Sequence, residues 1–170
     1  MAVRDVLRYP HASLKRECRS LKREDAAEVT RLAVDLVDTM RAHPRCVGLA
    51  APQIDELVRM IVVDVTDHPK ATSCHGLLVL VNPRIVRSSG AEIGREGCLS
   101  IPELTANVTR ATDIVVEAFT PESSKRVLES KGFEARCLQH EIDHLDGVLF
   151  LDRVAALRTD VFPRKSYGSK

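Results

Sequence analysis

The sequence has no Trp, only two Tyr and only four Phe. Its core must therefore be aliphatic, built from Val, Leu, Ile and Ala. No segment approaches the roughly 20 apolar residues that span a bilayer. The first twenty residues, MAVRDVLRYPHASLKRECRS, contain no uninterrupted apolar run and carry Asp5 and Glu17. That excludes a secretory signal and argues against an organellar transit peptide. Charge of one sign is also missing. Lys plus Arg is 25 and Asp plus Glu is 24, giving a formal +1, which offers no electrostatic grip on nucleic acid or an anionic membrane. The five Cys, at 18, 46, 74, 98 and 137, are odd in number and form no disulfide framework. The expectation is a reducing, cytoplasmic setting, where a Cys is a buried small residue, a ligand or a nucleophile.

A length of 170 residues suits one domain, 1–170. Residues 24–42 place Val29, Leu32, Ala33, Leu36, Val37 and Met40 on one helical face, with Pro44 as a stop. A small-residue loop, CVGLAAPQ (46–53), follows. Segments 59–65, 77–83 and 113–119 are rich in Val and Ile and read as strands. TPESS (120–124) reads as a turn into a further strand at 125–130. Helical spacing returns from about Gly132 and ends at Gly147. The sum is an α+β pattern: a first amphipathic helix, mostly antiparallel strands, then a second helix. Past Asp152, a short helix at VAALR and a loose tail within 155–170 are expected.

That second helix carries His140-Glu141-Ile142-Asp143-His144. Histidines four apart share one helix face, about one turn from each other, and can converge on one cation. Glu141 is rotated away from that face, unsuited as a co-ligand but able to reach a water at the metal, which is the mechanical content of an HExxH motif. A lone His is usually a satisfied core or surface residue. Two of them at this spacing with Glu between favour a metallohydrolase.

Catalytic sites of this kind take three protein ligands and a water. No His or Glu follows His144, so a downstream third ligand could only be Asp146, Asp152 or Asp160. Cys137 lies seven residues before His144, about 10.5 Å along the axis at 1.5 Å per residue, too far for one thiolate; it reads as core. Cys98, in REGCLS (95–100), is the better upstream candidate. Its loop can present both a thiolate and a backbone N–H.

Three ordered blocks, GLAAPQ (48–53), EGCLS (96–100) and QHEIDHLDG (139–147), resemble the peptide deformylase family over most of the chain, to about residue 153. The resemblance implies an α+β domain with the HExxH helix packed against sheets. It implies removal of the N-formyl group from the N-terminal Met of nascent chains. The metal would be one divalent ion, commonly Fe(II), with Zn, Ni or Co as substitutes. Its ligands would be Cys98, His140 and His144. Glu141 would be the general acid/base, while Gln53 and the Leu99 N–H would steady the oxyanion. Gly48 and Val47 would lie beside the substrate. Partners would be N-formyl-methionyl nascent peptides and, transiently, the ribosome. Taken alone, Gln53 reads as a turn cap, and Glu96 as a surface charge or a structural partner of Arg110.

Three departures stand out. Many members begin the first block with Gly-x-Gly, whereas this chain has Cys46-Val47-Gly48, which also raises Cys46 as a fourth ligand. Arg136, one turn before His140, replaces an apolar residue near the pocket for the Met side chain. It could snorkel to the pocket rim or turn to solvent, and a reshaped pocket with altered preference for formyl-Met is the expectation. The basic C-terminal tail does not match the long terminal helix of some members. Two other functions remain open: a small metallopeptidase with an Asp ligand, and a paralogue that binds formyl peptides without turnover.

Overall fold

The structure is a computed structural model and describes residues 3–165. Among these residues eight strands form two sheets. In the five-stranded sheet the spatial order is β1 (Gly48–Ala50), β2 (Met60–Val63), β3 (Leu78–Ser89), β6 (Asp113–Phe119) and β7 (Lys125–Lys131). The second sheet orders β4 (Glu92–Cys98), β5 (Ile101–Arg110) and β8 (Val161–Pro163). All these pairings are antiparallel. Helices α1 (Ala26–Ala42) and α2 (Gly132–Leu145) pack on the five-stranded sheet, and a short α3 covers Leu157–Asp160.

The two faces of β2 explain the layering. All four of its residues are buried, because α1 covers one face and α2 the other. Met60 and Val62 join Val29, Leu32, Leu36 and Met40 of α1. Ile61 and Val63 join Leu138, Ile142 and Leu145 of α2. A strand covered on both sides reads as a continuous apolar run, MIVV, rather than an alternation. Two strands along, between β3 and β7, β6 alternates instead, with Ile114, Val116 and Ala118 turned to the core.

Several local readings are corrected. The segment 46–53 is not a plain loop: it holds β1 and a 3-10 turn over Ala51–Ile54. Residues 84–110 contain the rest of β3 and the whole of β4 and β5. The tail contributes β8, paired to β5 through Leu104–Pro163, Thr105–Phe162 and Ala106–Val161, and its helix begins at Leu157 rather than Val154. The expected loose end from 166 onward lies outside the described residues.

Helix α2 stops where Gly147 adopts φ of 69°. The Val148 N–H donates to the Asp143 carbonyl and the Gly147 N–H to that of His144, the Schellman arrangement. A Cβ at 147 would also meet the Lys15 carbonyl at 2.8 Å. The helix is thereby fixed in length just past the second His. Among the described residues no helix is long and apolar enough to cross a membrane.

Leu80 is fully buried on β3 at the centre of the larger sheet. Leu80→Ala is expected to cost about 2–5 kcal/mol, the range for large-to-small core changes. Ile93→Ala, at an exposed position of β4, should stay within about 0.5 kcal/mol. Urea unfolding of the two variants beside the parent measures both.

Candidate active site

The motif QHEIDHLDG works as a set of aimed side chains on α2. Gln139 hydrogen-bonds both the N–H and the carbonyl of Ala111, tying the helix to the β5–β6 turn. Ile142 and Leu145 face the core. Asp143 accepts from Arg110 on β5 and from Arg153. Asp146 pairs with Arg59 at 2.6 Å. That leaves His140 and Glu141 to one cavity and His144 to Cys98 behind it.

His140, His144 and Cys98 bring their ligand atoms within 4.8 Å of one another, and all three are buried. Cys98 ends β4, where the ladder shifts register before the turn through Leu99 and Ser100 into β5. Its sulfur lies 3.3 Å from His144 Nε2. Burial alone would raise the Cys98 thiol. The His144 charge and hydrogen bonds from His140 and His144 outweigh it and hold the group well below the usual range, so the sulfur has thiolate character. One thiolate and two imidazoles suit a soft or borderline divalent metal. Among the described residues the His144 Nδ1 and the Glu141 Oε2 have no hydrogen-bond partner although both are buried. The donor set and an unpaired carboxylate oxygen beside it are what a metal and its water would satisfy, and the three residues can hold a metal ion.

Glu96 sets the orientation of His140. Its Oε2 lies 2.9 Å from His140 Nδ1, while Arg110 donates to both its oxygens at 2.9 and 3.0 Å and Arg136 to Oε1 at 2.9 Å. Burial would raise this carboxyl, but the bonds from His140 and Arg110 prevail and hold it at about 2. An ionised carboxylate only accepts, so Nδ1 carries the proton and Nε2 is left for a metal, the usual carboxylate–histidine–metal relay. Glu96 is thus a buried anchor for His140 and not a surface charge, and it pairs with Arg110.

Glu141 lines the same cavity. Burial raises its pKa, against the nearby histidines, to about 7, a value suited to taking and returning a proton near neutrality. Gly48 makes room for it, since a Cβ there would fall 2.6 Å from Glu141 Oε1. Gln53 does two things at once. Its Oε1 accepts from the Ala50 N–H at 2.9 Å, which caps the turn. The same bond points Nε2 at Cys98 Sγ, 3.4 Å away, and at Ser100 Oγ, 3.1 Å away. Val47, Gly48, Gln53, Leu99, Arg136 and Glu141 all line one cavity with Cys98 and His140.

The other ligand candidates go elsewhere. Asp146 is held by Arg59, Asp152 by Lys15, and Asp160 by Asn107. The Cys46 thiol donates to the Gly48 carbonyl at 3.1 Å, and burial pushes it up to about 12. Cys137 is buried on α2, with its thiol pushed upward by burial. Neither belongs to the three-residue cluster.

Known proteins resemble this chain along most of its length. The model of the family described as polypeptide deformylase matches residues 3–160. The chain belongs to the polypeptide deformylase family. It is 39% identical over 165 residues to peptide deformylase 2 of Vibrio cholerae, covering 97% of this chain and 94% of that one. It is 42% identical over 166 residues to a peptide deformylase of Desulforudis audaxviator, covering 97% and 99%. A crystal structure of a peptide deformylase from Legionella pneumophila superposes with a TM-score of 0.82 at 37% identity, over 92% of this chain and 89% of that one. An actinonin-bound class I type b peptide deformylase from Acinetobacter baumannii gives 0.81 at 32%, over 91% and 100%.

Within this deformylase frame Arg136 takes neither of the two expected courses. It neither snorkels to the rim nor turns to solvent but is buried, 7% exposed. Besides Glu96 it donates to the carbonyls of Val108 at 2.8 Å and Glu92 at 2.7 Å. Its guanidinium occupies the space a side chain at position 94 would need: a Cβ on Gly94 would lie 2.7 Å from Cζ. Arginine and glycine are matched in size, a pairing not visible when each position is read separately.

Gly94→Val should therefore cost about 1–3 kcal/mol by overpacking. In the Gly94→Val/Arg136→Ile double variant the penalties should be clearly less than additive. Urea unfolding of the two single variants, the double and the parent gives the coupling. Strict additivity would mean that the two side chains do not share the space.

Proposed function

We propose that the protein is a metal-dependent hydrolase that removes the N-formyl group from the N-terminal methionine of newly synthesised proteins and releases formate. The observation that carries this is the convergence of Cys98, His140 and His144 in one cavity with Glu141, Gln53, Gly48 and Leu99. Membership of the family supports it, as do the names of the relatives.

In this reading Cys98, His140 and His144 hold one divalent metal, Fe(II), with Zn, Ni or Co as substitutes. Such a metal supplies a Lewis acid that lowers the pKa of a water to near neutral. The chain's own residues do the rest. Val47 and Gly48 flank the peptide, and the narrow approach at Gly48 brings it beside Glu141. Glu141 takes a proton at its free Oε2 and later delivers it to the leaving amine. The amide N–H of Gln53, already aimed by the Ala50 N–H, and the Leu99 N–H donate to the developing oxyanion. Donors fixed in advance need little reorganisation at the moment of reaction. Arg136 closes one wall of the pocket that receives the first side chain. In this reading the enzyme works in the cytoplasm and meets nascent chains transiently at the ribosome, as the chemistry of its substrate requires.

Two competing readings fare worse. A metallopeptidase with an Asp ligand would need a carboxylate near the histidines, but Asp146, Asp152 and Asp160 are bonded elsewhere. A binding protein without turnover would have no use for a buried Glu141 with a free oxygen.

Protein reconstituted anaerobically with Fe(II) or Ni is expected to release formate from formyl-Met-Ala-Ser. Glu141→Ala should reduce the rate by about 10²–10⁴-fold while retaining the metal, and Cys98→Ala should lose the metal itself. Absence of formate release from folded, metal-loaded parent protein would overturn the reading. Full activity in metal-bound Cys98→Ala would favour the Asp-ligand peptidase.

A further inference from the structure

We propose that Arg95 and Arg164 form a carboxylate-binding subsite at the mouth of the catalytic cavity, selecting peptides with an acidic group two or three residues after the formylated one. This rests on the function proposed above, because it reads the same cavity further out.

Three arginines line the cavity: Arg95, Arg136 and Arg164. Arg136 is buried and committed to Glu96. Arg95 and Arg164 are exposed, so they stand at the opening while Cys98 and Glu141 lie inside. Neither forms an ion pair with a carboxylate among the described residues. Arg95 has only Thr105 Oγ1 at 3.4 Å and the Phe162 ring, whose centroid is 3.5 Å from Cζ. Arg164 is held through its backbone, its N–H donating to the Glu103 carbonyl at 2.7 Å.

Both are nevertheless positioned. Strand β8 pairs with β5, which brings Phe162 under Arg95 and Arg164 across Gly97. A Cβ at position 97 would fall 2.6 Å from Arg164 Nη2, so the glycine gives the guanidinium its seat beside ligand residue Cys98. Stacking on an aromatic face leaves the donor edge of Arg95 available. Two guanidinium groups at one opening, with no acidic partner of their own, suit a carboxylate as bound ligand.

The direction of the substrate follows from the chemistry. The formyl carbon must reach the space between Cys98 and Glu141, so the following residues run outward past the mouth. An extended chain advances about 3.3 Å per residue, which brings the third or fourth residue of the chain, counting the formylated one as the first, toward the arginines. The carboxylate could belong to an Asp or Glu side chain or to the C-terminus of a short peptide.

Three C-terminally amidated peptides separate the possibilities: formyl-Met-Ala-Glu, formyl-Met-Ala-Gln and formyl-Met-Ala-Lys. The free acid of the Gln peptide tests the terminal carboxylate. Turnover is measured on the nickel enzyme, and binding by calorimetry on its Glu141→Ala form. At low salt the Glu peptide should be bound and turned over about three- to tenfold better than the Gln peptide, and the Lys peptide worse. The preference should shrink at high salt, as screened rim charges do, and vanish in Arg95→Gln/Arg164→Gln. The Gln peptide should behave alike in both proteins. A preference confined to the free acid would assign the subsite to a terminal carboxylate. Charge-indifferent binding and turnover would overturn the inference while leaving the deformylase reading intact. Charge-dependent binding without turnover of any peptide would do the reverse. A preference unchanged in the double variant would also overturn it, by placing its source elsewhere.

Discussion

The site depends on one buried carboxylate. Glu96 accepts two hydrogen bonds from Arg110, one from Arg136 and one from His140. Removing a carboxylate from water is costly unless its lone pairs are met by well-placed donors. Here four bonds meet them, and the group stays ionised at about 2. Three structural elements are fixed by this one side chain. Glu96 itself is on β4, Arg110 on β5, and Arg136 and His140 on α2. Arg110 extends the clamp to Asp143 on the same helix. The helix therefore cannot slide or rotate against the small sheet without breaking charged bonds, and the Nε2 of His140 is held in one direction.

The rest of the centre is built on that anchor. Once α2 is fixed, His144 and Glu141 are fixed with it, one toward Cys98 and the other toward Gly48. The glycines around the cavity are where larger groups from elsewhere in the chain approach. Gly48 admits the Glu141 carboxyl, Gly94 the Arg136 guanidinium and Gly97 that of Arg164. Pocket shape is thus set in part by long charged side chains lying over bare backbone, beside apolar lining from Val47, Leu99 and Phe133. This is one way a chain with so few aromatic residues can wall a cavity.

The sequence disclosed α2 and its proposed chemistry because nearly every residue of QHEIDHLDG has a local meaning: a His spacing that lets two rings share a metal, a Glu placed to reach its water, a Gly for the stop. The strands at 59–65 and 113–119 were legible because burial writes itself as Val and Ile. Strand β4 was not. Glu92-Ile93-Gly94-Arg95-Glu96-Gly97-Cys98 has two glycines and three charges, and what covers it arrives from α2 and the C-terminal segment. Strand β8 is three residues long and exists through pairing with β5, which no local pattern records. Glu96 could be read only as a surface charge or as a guessed partner of Arg110, since its burial and its bond to His140 are tertiary facts. The same holds for Arg136, whose destination depends on a glycine 42 positions earlier.

The most direct test of this account is the metal affinity of Glu96→Gln, measured by chelator competition with zinc or nickel beside the parent protein. Glutamine keeps the shape but loses the charge that holds the Nδ1 proton of His140. The account predicts a weakening of about 10–100-fold, as for other partners of metal-bound histidines, in a protein whose circular dichroism is unchanged. An affinity equal to that of the parent would contradict the claim that Glu96 organises the centre.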